Sequence, residues 1–418
     1  MIKPTRHATI IGAGIIGVCT AAFLQREGFT VTIVDRLGPG EGCSFGNAGG
    51  IAFAEITPTI HPRMLTKIPG WLLDPLGPLT IRWTYLPKAL PWFLAAMRNT
   101  TPGKIAAITK ARAQLGLRAV SDFETLLKAA GRHDLMVYRE TLRVFDNQKQ
   151  FDAEAPERQT KKAHGFPVDV FTGDQAREME ADLSPAITHA TTHGGWFFVR
   201  DPEAVCKAIA TQVVRDGGAI LRDDVKQIIT RDNHATSLLL ANGKQMEIDK
   251  LVICAGAYSH LLAKQLGDRV LLEAERGYHI VLPNPGVTLS RAITYARTPG
   301  AATPMAMGLR LAGTDEFAGL DAAPNYQRAD ALYHLFKRAL PKLNAPDENA
   351  TRWMGRRPGT PDSLPVIGPS ATTQNVYYGF GHGHMGLTWG PTTGRMLSEI
   401  MTGKNANAER SAFRADRF

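Results

Sequence analysis

Ala8-Thr9-Ile10-Ile11-Gly12-Ala13-Gly14-Ile15-Ile16-Gly17, close to the amino terminus, decides the fold. Ala8–Ile11 is a short apolar run with β-branched residues, as a buried parallel strand requires. Gly12-Ala13-Gly14-Ile15-Ile16-Gly17 then fits G-x-G-x-x-G. In such a turn the first glycine permits the tight bend and the second lets backbone approach a pyrophosphate. The third lets the helix pack close to the strand. The spacing predicts a helix from about Ile15 to Glu27, with Val18, Ala21, Ala22 and Leu24 as apolar positions and Gly28 as its stop. Val31–Val34 reads as the next strand. Asp35 follows, 21 residues after Gly14, where an acidic side chain takes a ribose hydroxyl. Alone, each signal is weak. In this order they describe a dinucleotide-binding unit whose helix amino end faces the phosphates.

The 418-residue chain allows roughly two to four domains and a large core that needs neither disulfides nor a metal. Its 40 glycines and 26 prolines are dispersed and no fixed period recurs, which excludes fibrous, disordered, solenoid and propeller classes. Lysine and arginine exceed the acids by 9, which reads foremost as a solvated basic surface and otherwise favours acidic partners: carboxylates, anionic lipid or nucleic acid. The basic residues are spread out except for Arg158, Lys161, Lys162 and His164, and no zinc-finger or RNA-binding spacing is present. No nucleic acid is therefore expected. Cys19, Cys43, Cys206 and Cys254 form no C-x-x-C pair and read as reduced thiols, which suits a cytoplasmic location. The twelve histidines contain no H-E-x-x-H, so no metal is expected. Lys3, Arg6 and His7 before the apolar stretch imitate a secretory signal, but the glycines and the second strand belong to a nucleotide unit. No other segment approaches the ~20 apolar residues of a spanning helix.

After Asp35-Arg36 comes a long glycine-rich loop, Gly38-Pro39-Gly40-Glu41-Gly42-Cys43-Ser44-Phe45-Gly46-Asn47-Ala48-Gly49-Gly50. It offers further backbone N–H groups to a pyrophosphate or a flavin, or serves as an ordinary connection. Asp201-Pro202 opens a helix with an aspartate cap and proline at its first position. Strands are expected at Ala219–Leu221, Val225–Ile229, Ser237–Leu240 and Leu251–Cys254, with an Asn242-Gly243 hairpin turn. Near the carboxyl end, Trp353-Met354-Gly355-Arg356-Arg357-Pro358-Gly359-Thr360-Pro361-Asp362 precedes a strand at Val376–Gly379. Gly381-His382-Gly383-His384-Met385-Gly386-Leu387-Thr388 then opens a last helix. Glycine-rich segments at both chain ends, serving one nucleotide site, favour FAD over NAD.

With these motifs the sequence resembles the D-amino-acid oxidase superfamily of FAD-dependent amine oxidoreductases, nearest to bacterial D-amino acid dehydrogenases of the D-hydroxyproline type. The resemblance spans nearly the whole chain: G-A-G-I-I-G, N-A-G-G, L-V-I-C-A-G-A, R-G-Y-H, G-L-R-L-A-G-T, R-P-G-T-P-D-S-L-P-V-I-G and G-H-G-H-M-G-L-T. It implies an α/β (α+β) fold. A Rossmann-type FAD domain is built from discontinuous segments 1–55, 195–265 and 355–418. A mixed-sheet substrate domain takes 56–194 and 266–354. Implied FAD contacts are Gly12 through Gly17, Asp35 and Arg36, Cys43 and Ser44, Asn47, Ala48, Gly49 and Gly50. The remainder are Val225, Ala255 and Gly256, and Gly383, His384, Met385, Gly386, Leu387 and Thr388. No cysteine follows Cys254, so the flavin is expected to be non-covalent. A helix amino terminus near Gly383 would stabilise negative charge on the reduced ring.

The implied activity is dehydrogenation of a D-amino acid, of D-proline or hydroxy-D-proline type, by hydride transfer from the α-carbon to flavin N5. Such chemistry needs orientation more than acid–base groups, and an arginine fork suits a substrate carboxylate. The candidates are Arg276, Arg297, Arg310, Arg356 and Arg357. The resemblance selects Arg357; its alternative is a salt bridge with Asp362 or Glu348. A second carboxylate-binding arginine of several relatives falls at Met305. Tyr278, His279 and Tyr295 are placed on strands passing the active site, and His384 at the flavin edge, with core packing as the alternative for the tyrosines. A sarcosine- or glycine-type oxidase, a 2-hydroxyacid dehydrogenase and a flavoprotein subunit of a larger complex are the competing functions.

Residues 61–97 carry Trp71, Trp83 and Trp92 among Leu72, Leu73, Leu76, Leu90, Lys67, Arg82 and Lys88. Aromatics between basic residues and prolines fit either a peripheral membrane patch, serving a quinone-like acceptor at the cytoplasmic face, or a lid on the substrate domain.

Overall fold

Strand Arg6–Ile11 lies in the middle of a six-stranded sheet ordered 219–222, 29–35, 6–11, 250–253, 376–380, 366–369. The first five run parallel; the sixth is antiparallel to its neighbour. This is a computed structural model, and it describes residues 6–62, 70–71, 77–192, 197–405 and 410–418. Lys3, Lys67, Leu72, Leu73 and Leu76 lie outside those residues.

The glycine turn leaves the middle strand with no slack. Gly12 adopts φ +111°, and a Cβ there would stand 2.3 Å from the Cys254 carbonyl oxygen. A Cβ on Gly17 would meet the Gly12 carbonyl oxygen at 1.8 Å. Helix Ile15–Arg26 can therefore start directly at the strand end, burying Val18, Cys19, Ala21 and Leu24. Helix Pro202–Arg215 starts as its sequence dictates: Asp201 Oδ1 accepts the Glu203 and Ala204 N–H groups at 2.9 and 3.0 Å. Such a cap is worth about 1 kcal/mol. The final helix, Gly386–Thr402, packs along Ile15–Arg26 through Gly390 and Gly394.

A nine-stranded mixed sheet forms the second layer. Its path is 351–359, 273–282, 308–317, 298–305, 293–295, 142–145, 189–192, 170–172, and strand 79–81 joins alongside 308–317. Strand Thr351–Gly359 pairs with Glu273–Leu282, Glu275 opposite Arg357 and Gly277 opposite Gly355. Position 355, expected as a domain boundary, thus falls inside a strand of this sheet. One face is closed by helix Gln327–Phe336, whose Leu332 and Phe336 share a core with Tyr278, Ile280 and Leu311. The other face receives the 43–50 loop. Arg310 donates to the carbonyls of Phe45 and Asn47 at 2.9 and 2.6 Å, and His279 Nδ1 lies 3.2 Å from the Gly46 carbonyl oxygen.

Among the described residues of segment 61–97, strand Leu79–Ile81 and helix Leu86–Arg98 dock on the large sheet. Trp92 is only 4% exposed. Its ring packs on Phe93 and Phe317 with centroids at 5.3 and 5.4 Å, and Nε1 donates to the Gly359 carbonyl at 3.0 Å. Trp71 is partly buried against the same cluster. Of the two expectations for this segment, membrane patch or lid, Trp92 fits only the packed one: it belongs to the core, its ring against Phe317. Trp83 is the exposed one, at 69%. No helix among the described residues is long and apolar enough to cross a membrane. Trp92→Ala should lower stability by about 3–5 kcal/mol, whereas Trp83→Ala should stay within about 0.5 kcal/mol, read from denaturation midpoints.

Candidate active site

A cavity of about 1380 Å³ runs from the glycine turn to the start of the last helix. Its wall includes Gly12, Gly14, Ile15 and Ile16, then Asp35 and Arg36, then Cys43, Ser44, Asn47, Ala48 and Gly50. Val225, Ala255 and Gly256 follow, with Gly383 through Leu387 at the far end. Ala13, Gly17, Gly49 and Thr388 stand behind that wall. Ala13 N–H donates to Asp35 Oδ2 at 2.6 Å and Leu37 N–H to Oδ1 at 2.8 Å, fixing the carboxylate at the strand end. Burial raises the Asp35 pKa against the pull of these two bonds. Ser44 Oγ accepts the Ile15 N–H at 3.0 Å, which ties the loop to the helix start. Thr388 Oγ1 accepts the Ala52 N–H at 3.0 Å, joining the last helix to the same loop region. Arg36 lies over the Tyr258 ring at 4.1 Å, a wall residue that the sequence reading missed. Bare glycine backbone at one end, a carboxylate and a stacked arginine next, and a helix start at the other fit FAD.

Arg357 stands on the large sheet beside this cradle, and its guanidinium fills the space above Gly277. A Cβ at 277 would lie 2.0 Å from Arg357 Cζ. Nη1 donates to Asp315 Oδ1 at 2.6 Å and to the Thr314 carbonyl at 3.2 Å. The partner is thus Asp315; Asp362 instead bonds Arg417 at 2.7 Å. His384 bridges two carboxylates, with Nε2 3.3 Å from Asp315 Oδ1 and Nδ1 3.6 Å from Glu275 Oε2. Burial would raise the Asp315 pKa, but His384 and Arg357 outweigh it and hold the carboxyl near 2. Burial raises Glu275 to about 7; His384 pulls against that and the Asp315 charge adds to it. Neighbouring carboxyls are split in this way into one ionised and one proton-holding group. Glu275, Asp315 and His384 place ligand-type atoms within 4.8 Å of one another, a grouping invisible in the histidine spacing, but Arg357 already supplies positive charge to Asp315.

The other sequence candidates do different work. Tyr278 donates to Glu316 Oε2 at 2.6 Å and accepts the Asn325 N–H at 3.1 Å; Tyr295 donates to Asp146 Oδ2 at 2.8 Å. Both are buried, with their hydroxyls committed to protein partners. His279 stacks on Trp353 at 5.1 Å, and burial pushes its pKa down to about 3, so its ring packs as a neutral group. Arg276 is buried against Glu316, Arg297 pairs with Asp146, Arg310 secures the 43–50 loop and Arg356 bonds the Leu320 carbonyl at 2.5 Å. Met305 is buried against Gly49.

The DAO family model, described as FAD dependent oxidoreductase, matches residues 7–400. The chain belongs to this family. It is 34% identical to a D-amino-acid oxidase of Bradyrhizobium diazoefficiens, with 99% of each chain covered. It is 29% identical to a D-amino acid dehydrogenase of Allorhizobium ampelinum, with 98% of each covered. Glycine oxidase from Geobacillus kaustophilus superposes with a TM-score of 0.75 at 19% identity, over 99% of this chain and 100% of that one, which shows a shared fold.

In this DAO-family oxidoreductase the Glu275 carboxyl, raised from an ordinary 4.5 to about 7, holds its proton more tightly folded than unfolded. That component of stability is present below about pH 4.5, falls as pH climbs through about 7 and then levels off. Glu275→Gln removes the fall, so the variant's melting temperature should gain on wild type between about pH 5 and pH 8. A difference that stays constant over that range would mean that Glu275 is ionised throughout.

Proposed function

We propose that this FAD-dependent oxidoreductase dehydrogenates a D-amino acid, D-proline or hydroxy-D-proline types foremost, and passes the electrons to a quinone-like acceptor. The observation that carries the reading is Arg357: a guanidinium fork on the cavity wall, above a glycine, beside the end of the flavin cradle. Bound FAD supplies the hydride acceptor. Arg357 fixes the substrate carboxylate and so aims the α-hydrogen, while Gly300, Ala301, Ala312 and Gly313 leave room for the substrate body. The relatives named D-amino acid dehydrogenase and D-amino-acid oxidase support the substrate class. A panel of D-proline, hydroxy-D-proline, D-alanine, sarcosine, glycine and 2-hydroxy acids, assayed with an artificial acceptor and by oxygen uptake, tests it. Preference for sarcosine, glycine or a hydroxy acid would reject it. Denaturation should release the flavin, as a non-covalent cofactor requires.

Loss of a charge-assisted bidentate contact costs about 2–5 kcal/mol, so Arg357→Ala should lower kcat/KM by roughly 30- to several-thousand-fold. FAD content should stay near normal, because the phosphate-side residues lie elsewhere along the cavity. Arg357→Lys should restore only part, since a point charge does not reproduce the fork. A variant with normal turnover, or one that loses only flavin, contradicts the assignment.

The acceptor side rests on helix Leu86–Arg98. Leu90, Leu94 and Met97 recur at helical spacing on one face, 46%, 49% and 56% exposed, with Trp83 nearby in sequence and Lys88 and Arg98 exposed on the same helix. An apolar stripe flanked by cations suits shallow insertion into an anionic bilayer. The full-length protein should float with anionic vesicles, and replacing Trp83, Leu90, Leu94 and Met97 by serine should abolish flotation. If wild type stays in the soluble fraction, this face is not a membrane anchor.

A further inference from the structure

The charge around Arg357 is more than a carboxylate clamp needs. A clamp acts through an uncompensated cation, yet Arg357 already shares a 2.6 Å contact with Asp315. Both side chains line the cavity, and each is about one-fifth exposed. An incoming carboxylate therefore meets a positive and a negative group side by side. Seated on Arg357 alone, it would put a second anion next to Asp315. Like charges brought that close in a partly desolvated cavity repel each other strongly.

We propose that Asp315 is the counter-charge for the substrate's cationic nitrogen, so that the pocket admits amino and imino acids as zwitterions and rejects carboxylates and 2-hydroxy acids of the same shape. The proposal rests on the reading of Arg357 as the carboxylate clamp. A zwitterion offers both charges at once: its carboxylate goes to Arg357 and its ammonium to Asp315. Specificity then comes as much from repulsion of the wrong ligand as from attraction of the right one.

The groups facing Asp315 from the surrounding elements support that role. His384 approaches from the turn before the last helix, Arg357 from the edge strand, one strand beyond the immediate neighbour of Asp315's own strand, and the Arg328 charge from helix Gln327–Phe336. Together they keep Asp315 ionised. Glu275, on the strand between those of Asp315 and Arg357, is buried and absent from the cavity wall, so Asp315 is the carboxylate of this group that a ligand in the cavity meets. Gly277, Gly300 and Gly313 leave the wall next to the pair bare of side chains.

Three isosteric ligands without an α-hydrogen test this without turnover: 2-aminoisobutyrate, 2-hydroxyisobutyrate and pivalate. Each is titrated into the FAD-loaded full-length enzyme and followed through the flavin absorbance. Wild type should bind 2-aminoisobutyrate at least about tenfold more tightly than the other two. Asp315→Asn, whose amide oxygen can still accept from Arg357, should weaken 2-aminoisobutyrate about tenfold, leave pivalate unchanged or tighter, and erase the preference. The wild-type comparison stands even if the variant does not fold. Equal binding of the three by wild type, no detectable binding of 2-aminoisobutyrate, or loss of all three alike in the variant would overturn the proposal. In the last case Asp315 only anchors Arg357. Reduction of the flavin by D-amino acids together with indifferent isostere binding would sink this proposal alone. Reduction by 2-hydroxy acids and not by D-amino acids would sink the proposed activity as well.

Discussion

The close approach of Gly17 to the Gly12 carbonyl is the constraint on which the rest depends. With less than the room of a methyl group between them, helix Ile15–Arg26 leaves strand Arg6–Ile11 at one angle only. Helix Gly386–Thr402 then lies so near it that a Cβ on Gly394 would stand 2.6 Å from the Cys19 backbone. The two contacts bring glycine-rich segments from opposite ends of the chain to one cavity. The amino-terminal turn offers backbone at one end, and the Gly383–Leu387 turn forms the other. Neither segment alone encloses a cofactor.

Local signals in the sequence carried a good part of this. Strand, glycine turn, helix and acid are neighbours in the chain, so their spacing reports their geometry. The Asp201 cap and the last helix were legible for the same reason. Arg357 was legible through its motif, but its partner was not, because Asp315 meets it across the sheet, 42 residues away. Strand Glu273–Leu282 was legible only in part, for a subtler reason. A register shift between Arg276 and Tyr278 interrupts simple alternation against Gly308–Phe317, and the Tyr278 hydroxyl turns to Glu316 while His279 turns to the carbonyl of Gly46. Tyr278 borders the cavity and His279 is not part of its wall, a distinction that residue type alone does not make and the pleat does.

Trp92 shows how an aromatic-rich surface segment can be structural in one residue and exposed in the next. Its indole N–H reaches the carbonyl of Gly359, the final residue of the strand that carries Arg357. The helix with the exposed apolar stripe is therefore fastened to the strand that presents the guanidinium. Composition alone assigns all three tryptophans of the segment alike, whereas burial separates them.

Arg310 has a consequence for how the enzyme comes together. It is almost fully buried, burial lowers its pKa to about 10, and its hydrogen bonds go to the backbone carbonyls of Phe45 and Asn47. The glycine-rich loop that follows the second strand of the chain thus borrows its shape from a cation some 265 residues later. During synthesis the glycine turn exists long before that cation leaves the ribosome. The glycine-rich loop and the large sheet are accordingly parts of one structural unit rather than separable modules. A fragment ending before the large sheet would carry the glycine motif without the cation that holds the 43–50 loop.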